Sequence, residues 1–195
     1  QYFAYIEVAE RMPGGFGGMA ENWALDKPLI AAVHGAAVGG GFEMALGCDV
    51  IIAADDSYFL LPEMLRGFLP DVGGYQGLTR KGPSNVAVER VLTGRRMEVD
   101  EAERWGLVHK IVPRSELKST ALEMADRIAL GAPLALRAFK AMVRATQHVS
   151  IEEALDRAKR NKSRVPIFEQ MSASEDAIEG PRAFAEKRPP KWKGK

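Results

Sequence analysis

The sequence predicts an α/β protein with a parallel sheet in its front half and mainly helices behind. Three observations carry this. Residues 29–33 and 50–54 are short, continuously apolar runs bounded by turn signals, as strands buried on both faces require. Between them lie a small-residue turn, 34–41, and a helical stretch, 42–46, so strand, glycine turn, helix and strand form a βαβ-like unit. Beyond Pro113 apolar residues recur at helical spacing, as at Leu117, Ala121, Met124, Ala125 and Ile128.

The elements follow in order. Tyr2, Phe3, Tyr5, Ile6 and Val8 suggest a helix over 2–12, and Met12 to Gly18 is a flexible loop by composition. A short helical stretch runs to Leu25 and breaks at Asp26-Lys27-Pro28. After the second strand, Asp55-Asp56-Ser57 turns the chain, which extends again from Tyr58 to Leu61. Pro83 suits the first turn of a helix that runs to Thr93 and stops at Gly94. Asp100 can cap a helix over 101–105 that ends at Gly106, and a strand over 107–112 is closed by Pro113. Helices over 116–130 and 133–148 follow. Ser150 with Glu153 is a capping box, and Ser174 caps a last short helix before Gly180-Pro181. Residues 1–112 thus read as the β/α core and 113–195 as a helical C-terminal region.

Composition narrows the function. The chain has 195 residues, a formal net charge of +1, 46% hydrophobic and 27% charged residues, so no duplex nucleic acid or other electrostatically dominant partner is expected. The single cysteine, Cys48, excludes an intramolecular disulfide, fits a reducing cytoplasm and reads as a small buried hydrophobe. No run of about 18 apolar residues suggests a membrane span. Gln1-Tyr2-Phe3 does not read as a signal peptide, and the chain reads as beginning in the middle of something. The last residues, 186–195, are mostly Lys, Arg and Pro and could meet phosphate.

The chemistry concentrates at Gly39-Gly40-Gly41-Phe42-Glu43. Glycines that open a helix let a ligand approach the backbone, and the first helical N–H groups are unpaired and carry the positive end of the helix dipole. That suits a phosphate or an oxyanion developing on a carbonyl. Close helix–strand packing would use the same glycines. The run lacks the Lys-Ser/Thr of a P-loop and is not GxGxxG, which disfavours a nucleotide cradle. Glu43 and Glu63 both stand among apolar neighbours. Buried carboxyls have raised pKa values, as acid/base work at neutral pH requires, whereas on surface turns they would be ordinary. Asp71 is a third carboxylate, or the N-cap of a helix at Gly73-Gly74. His34, His109 and His148 lack metal-ligand spacing, and there is no GxSxG nucleophile motif.

The ordered motifs are more specific than any one of them. The stretch from Lys27 through Val33-His34-Gly35 to Glu43, then Cys48-Asp49, Leu61-Pro62-Glu63, Gly67 and Pro70 to Gly74 resembles the enoyl-CoA hydratase/isomerase (crotonase) family. The likeness continues through Leu92 to Arg95 and Ala102 to Val108, and ends at Phe184 to Arg188. The tail from Ser174 to Arg188 is similar to that of the family's carnitinyl-CoA dehydratase branch.

The resemblance implies a crotonase-like (ClpP/crotonase) ββα superhelix with a helical C-terminal trimerisation region. It implies a lyase acting on an enoyl-CoA or 3-hydroxyacyl-CoA thioester, with carnitinyl-CoA or crotonobetainyl-CoA as the branch's substrates. Glu43 would activate water, Glu63 would handle the Cα proton, and the Gly40 N–H would form part of an oxyanion hole. An Asp in the position of Asp71 lies at the site in some isomerases of the family. Phe184 and Lys187 match an aromatic and a lysine that contact CoA, commonly in a neighbouring subunit's site. No metal or redox cofactor is expected, CoA being the substrate's carrier, and a homotrimer or dimer of trimers is implied. The family's first strands, adenosine loop and second oxyanion donor find no match before Lys27. The natural protein is therefore expected to be longer, and an intact mass near 21 kDa would contradict this. A double-bond isomerase of the family and a non-catalytic RNA-binding protein of the same fold are the alternatives.

Overall fold

The computed structural model describes residues 13–159 and 163–195. The helix expected over 2–12 lies outside them. The chain folds as two units, one holding the described residues up to Ala24 and Leu29–Ala125, the other Leu25–Pro28 and Asp126–Lys195.

The first unit is built on two three-stranded sheets. Its elements are β1 (Ile30–Val33), β2 (Ala36–Val38), α1 (Gly40–Gly47), β3 (Val50–Ala54) and β4 (Tyr58–Leu60). There follow α2 (Gly74–Lys81), α3 (Ser84–Thr93), β5 (Met97–Glu98), α4 (Val99–Arg104), β6 (Lys110–Val112) and most of α5 (Leu117–Ala129). One sheet has the order β1-β3-β6, all parallel, with Ile30 opposite Val50 and Ala54 opposite Val112. In the other, β2 pairs parallel with β4, and β4 pairs antiparallel with β5.

Strand periodicity explains how β3 organises the unit. Successive side chains leave opposite faces of a strand. Ile51 and Ala53 enter a core with Phe42, Leu46, Phe59, Leu78 and Val108, while Ile52 and Ala54 enter a second with Val112 and Leu117. The Phe42 and Phe59 rings pack 5.0 Å apart, which ties α1 to β4.

Several expectations need correction. Of the two expected strands, among the described residues, only β3 is buried on both faces; β1 is an edge strand and partly exposed. The turn after it contains a strand, β2, because Gly35 and Gly39 at φ 61° and 54° let Ala36–Val38 run alongside β4. No helix forms over 19–25; the chain there makes only turns and loop. Pro83 precedes α3 as its N-cap residue, while Gly94 closes it at φ 58° as expected. Asp100 lies inside α4, whose N-cap is Glu98. The strand after Gly106 shortens to β6.

The second unit is helical: α6 (Pro133–Thr146), α7 (Ile151–Arg157), α8 (Pro166–Ser172) and α9 (Glu175–Ala185), with α6 packed on α8. Ser150 and Ser174 cap α7 and α9 by accepting from Glu153 N and Ala177 N. Contrary to expectation, α9 passes through Gly180 and Pro181. Its C-terminal end is closed from beyond: Lys187 N donates to Phe184 O and Arg188 N to Ala183 O. The Arg188 guanidinium also pairs with both Glu179 oxygens, at 2.6 and 3.0 Å. That pair, with the Lys191 N–H, holds the Glu179 carboxyl down to about 2.

The basic tail is therefore largely occupied by its own unit. Asp176 accepts from the N–H groups of Lys193 and Gly194, Lys193 pairs with Glu175, and Trp192 Nε1 donates to Leu130 O. Among the described residues no helix is long and apolar enough to cross a membrane.

Candidate active site

The glycine run opens α1 as expected. Gly39 is its N-cap at φ 54°, a left-handed conformation that a side chain disfavours. Gly40 and Gly41 begin the helix, so their N–H groups have no intrahelical acceptor. Gly39 N donates to Leu60 O at 2.9 Å, which fixes the helix start on the end of β4. Glu63 follows three residues after Leu60, the last of that strand, opening a 3-10 turn, Glu63–Arg66. The C-terminal ends of two strands paired in the sheet, β2 and β4, therefore deliver both glutamates to one place.

Both carboxyls are buried, with Glu43 6% and Glu63 8% exposed. Glu43 Oε1 accepts from Gly74 N at 2.9 Å and Val72 N at 3.1 Å. Burial nevertheless pushes the Glu43 carboxyl up to about 7; the two amides oppose the rise, and the charges of Glu63 and Asp71 add to it. Burial also raises Glu63, against its own backbone N–H and Arg66. Its Oε2 is buried without a hydrogen-bond partner. An orphaned buried carboxylate oxygen costs stability, which makes Glu63 a candidate functional group.

Two glycines make room for this pair. A Cβ on Gly39 would stand 2.7 Å from Glu63 Oε1, and one on Gly74 would stand 2.6 Å from Pro70 Cβ and 2.8 Å from Glu43 Oε1. Gly41 faces open space. The sequence pointed to the run but not to these duties. Nor did it show that the amides of Val72 and Gly74 hold Glu43, since that contact spans 29 and 31 residues.

Asp71 does not cap α2. The N-cap is Gly73 at φ 117°, with no side-chain bond, and Asp71 is exposed. Its charge is still felt by both glutamates. Glu43, Glu63, Gly40 and Asp71 thus belong to one locality of the first unit. Phe184 and Lys187 belong to the second. Phe184 is 87% exposed, and Lys187 has φ 54°. The bonds around Lys187 form a Schellman closure, in which glycine usually takes the left-handed position. Among the described residues no cluster of His, Cys, Asp and Glu could hold a metal ion.

The Glu43 shift has a checkable consequence for stability. A carboxyl whose folded pKa lies above its unfolded value of 4.5 binds more protons in the native state between pH 4.5 and 7. Stability therefore falls as pH rises through that window, and the full cost is present above about 7. Glu43→Gln keeps an acceptor for the two amides but removes the charge. It is expected to be more stable than the parent at pH 8, by roughly 2 kcal/mol, and no more stable at pH 4. Urea unfolding at both pH values measures this.

Comparison with known proteins gives the family. The sequence model of the family described as Enoyl-CoA hydratase/isomerase matches residues 17–195. The chain is 48% identical over 183 residues to a carnitinyl-CoA dehydratase of Proteus mirabilis, covering 93% of this chain and 69% of that protein. It is 46% identical to one of Salmonella paratyphi A, again covering 69% of the relative. The structure of an enoyl-CoA hydratase from Mycobacterium tuberculosis superposes with a TM-score of 0.86 at 32% identity, over 100% of this chain and 75% of that one. These likenesses bear out the crotonase-type fold, and with it the glycine run and glutamates fall within the matched span. The chain belongs to the enoyl-CoA hydratase/isomerase family and is, within it, a dehydratase-like lyase chain.

Proposed function

We propose that Glu43 and Glu63 are the acid/base pair for reversible addition of water to an enoyl-CoA thioester. The names of the relatives favour the crotonobetainyl-CoA/carnitinyl-CoA pair as substrates. The observation that carries the reading is the pairing of an orphaned buried oxygen, Glu63 Oε2, with a neighbouring carboxyl poised at about 7. In hydration, Glu43 takes a proton from water as the oxygen attacks Cβ, and Glu63 supplies the proton to Cα. The thioester carbonyl passes through an enolate, and the Gly40 N–H donates to its oxygen. Dehydration is the reverse. No step requires a metal or redox cofactor. A double-bond isomerase needs one proton-shuttling carboxylate, so the elevation of both favours the hydratase.

Loss of enoyl-thioester absorbance on adding the complete protein to crotonyl-CoA and crotonobetainyl-CoA tests this. No change with either substrate, in parent and in Glu43→Gln and Glu63→Gln alike, would overturn it. The hydration rate should also fall as pH drops through about 7, because the attacking water needs the ionised form of the coupled pair.

Phe184 and Lys187 are proposed as contacts to the adenine and phosphate of CoA in a neighbouring subunit of a trimer or dimer of trimers. An exposed ring can stack on a purine, and an ammonium can meet phosphate. The left-handed conformation of Lys187 supports a role, because a glycine would relieve it. Lys187→Gly is expected to raise Tm while weakening CoA binding about tenfold, or about 1.4 kcal/mol. Thermal melts and calorimetric CoA titration read the two effects separately.

A further inference from the structure

The two amides that hold Glu43 are not fixed in the same way. Gly74 is the first residue of α2, so its N–H has no intrahelical acceptor and the helix itself aims it at Glu43 Oε1. Val72 lies outside the helix, in the turn over 71–73, where no secondary structure orients its N–H. A side chain does so instead. Gln76 Nε2 donates to Asp71 O at 3.1 Å, and that carbonyl shares a peptide plane with Val72 N, which donates to Glu43 Oε1 at 3.1 Å. In a trans peptide the C=O and N–H point in opposite directions and turn together. A bond that pins the carbonyl therefore sets the direction of the amide and polarises it toward the carboxylate. The other end of the Gln76 amide, Oε1, is buried and makes no hydrogen bond among the described residues. Gln76 thus keeps its donor on Asp71 despite an unsatisfied acceptor, a penalty that an apolar side chain of the same length would remove.

We propose that Gln76 is a positioning residue for Glu43, acting through the Asp71–Val72 peptide. What Glu43 does rests on the hydratase reading; how Glu43 is held does not. The Val72 N–H pulls the Glu43 carboxyl down against the rise that burial imposes. Once the peptide is free to turn, that opposition weakens and the carboxyl rises further. Hydration needs the ionised form, so the acid limb of its pH profile moves to higher pH. The charges that act on Glu43 are Glu63 and Asp71, and Arg66 acts in turn on Glu63. On α2 the cations Arg80 and Lys81 lie in the last turn, with Lys81 bound to Cys48 O beyond the far end of α1. Substitution at position 76 removes none of these.

The test uses the complete protein and two substitutions. Gln76→Met keeps the length and helix preference of the side chain but removes both the donor and the orphaned acceptor. Gln76→Glu, once ionised, removes the donor and adds a negative charge. One readout is the pH profile of kcat for crotonyl-CoA hydration. The other is an infrared titration of the Glu43 carboxyl, its band assigned by its loss in Glu43→Gln, and it needs no turnover. Gln76→Met is expected to move both midpoints up by roughly 0.5–1 pH unit, a three- to tenfold lower rate on the acid limb. KM should change little, and Tm should hold or rise as the orphan disappears. Gln76→Glu should move the midpoints further in the same direction. A merely structural Gln76 would instead lower Tm in both variants and leave both midpoints in place. If the parent hydrates nothing but the infrared midpoint still moves, the hydratase reading fails and the positioning role stands. Infrared midpoints within about 0.2 pH unit of the parent in a folded variant would overturn the proposal. Should one variant not fold, the other decides alone.

Discussion

Glu63→Gln lowers kcat for hydration by about 10²–10⁴-fold, the range expected when a positioned acid/base group is lost, with KM little changed. The reasoning starts from Oε2, which is buried and makes no hydrogen bond. The carboxyl's bond from its own backbone N–H can pass to an amide oxygen, so little is lost structurally on becoming an amide. The variant should therefore fold, keep its affinity for a saturated acyl-CoA and fail only in proton transfer. Glu43→Gln should lose a similar factor, although its Oε1 is held by Val72 and Gly74. The double variant should be scarcely worse than either single one, because the two act on one reaction coordinate. Stopped absorbance at saturating crotonyl-CoA measures the loss. Single-variant rates within threefold of the parent would remove both carboxyls from the mechanism.

Gly39→Ala is expected to cost about 10²-fold in kcat/KM for two separate reasons. The residue sits at φ 54°, where a Cβ strains the backbone by roughly 1–2 kcal/mol. The added carbon would also stand 2.7 Å from Glu63 Oε1, and the carboxyl would have to move. A displacement of about 1 Å in a catalytic group is enough for a loss of this size. Gly41→Ala provides the contrast. A Cβ there meets nothing within 4 Å and the residue is helical, so its Tm should hold or rise. Equal Tm and activity losses in the two variants would show that the site of substitution does not matter.

Legibility in the sequence followed the range of the interactions. Residues 50–54 were readable as a strand because continuous burial leaves a continuous apolar run. Glu43 was conspicuous because a charge stood alone in such surroundings. Ala36–Val38 was not readable, since three small residues between glycines have no period and become a strand only by pairing with Tyr58–Leu60. The amides that hold Glu43 come from a loop some 30 residues away, and no local pattern announces them. Pro181 misled for a related reason: α9 runs on to Ala185, and the bonds that close it come from Lys187 and Arg188, beyond the helix itself. Gly14 to Gly18 looked like part of a flexible loop, because the same glycines that suggest freedom also permit a fixed coil.

The orphaned oxygen of Glu63 and the raised carboxyl of Glu43 put the proposed acid/base pair among the protein's least comfortable residues. Anyone breeding a heat-resistant form by survival of structure alone would therefore be led away from the reaction. Amides at 43 and 63 would be among the first rewards of such a search, and the most durable descendants would be inert. Screens on this protein should score turnover alongside melting, and an unexpectedly robust natural relative merits a look at these two positions first.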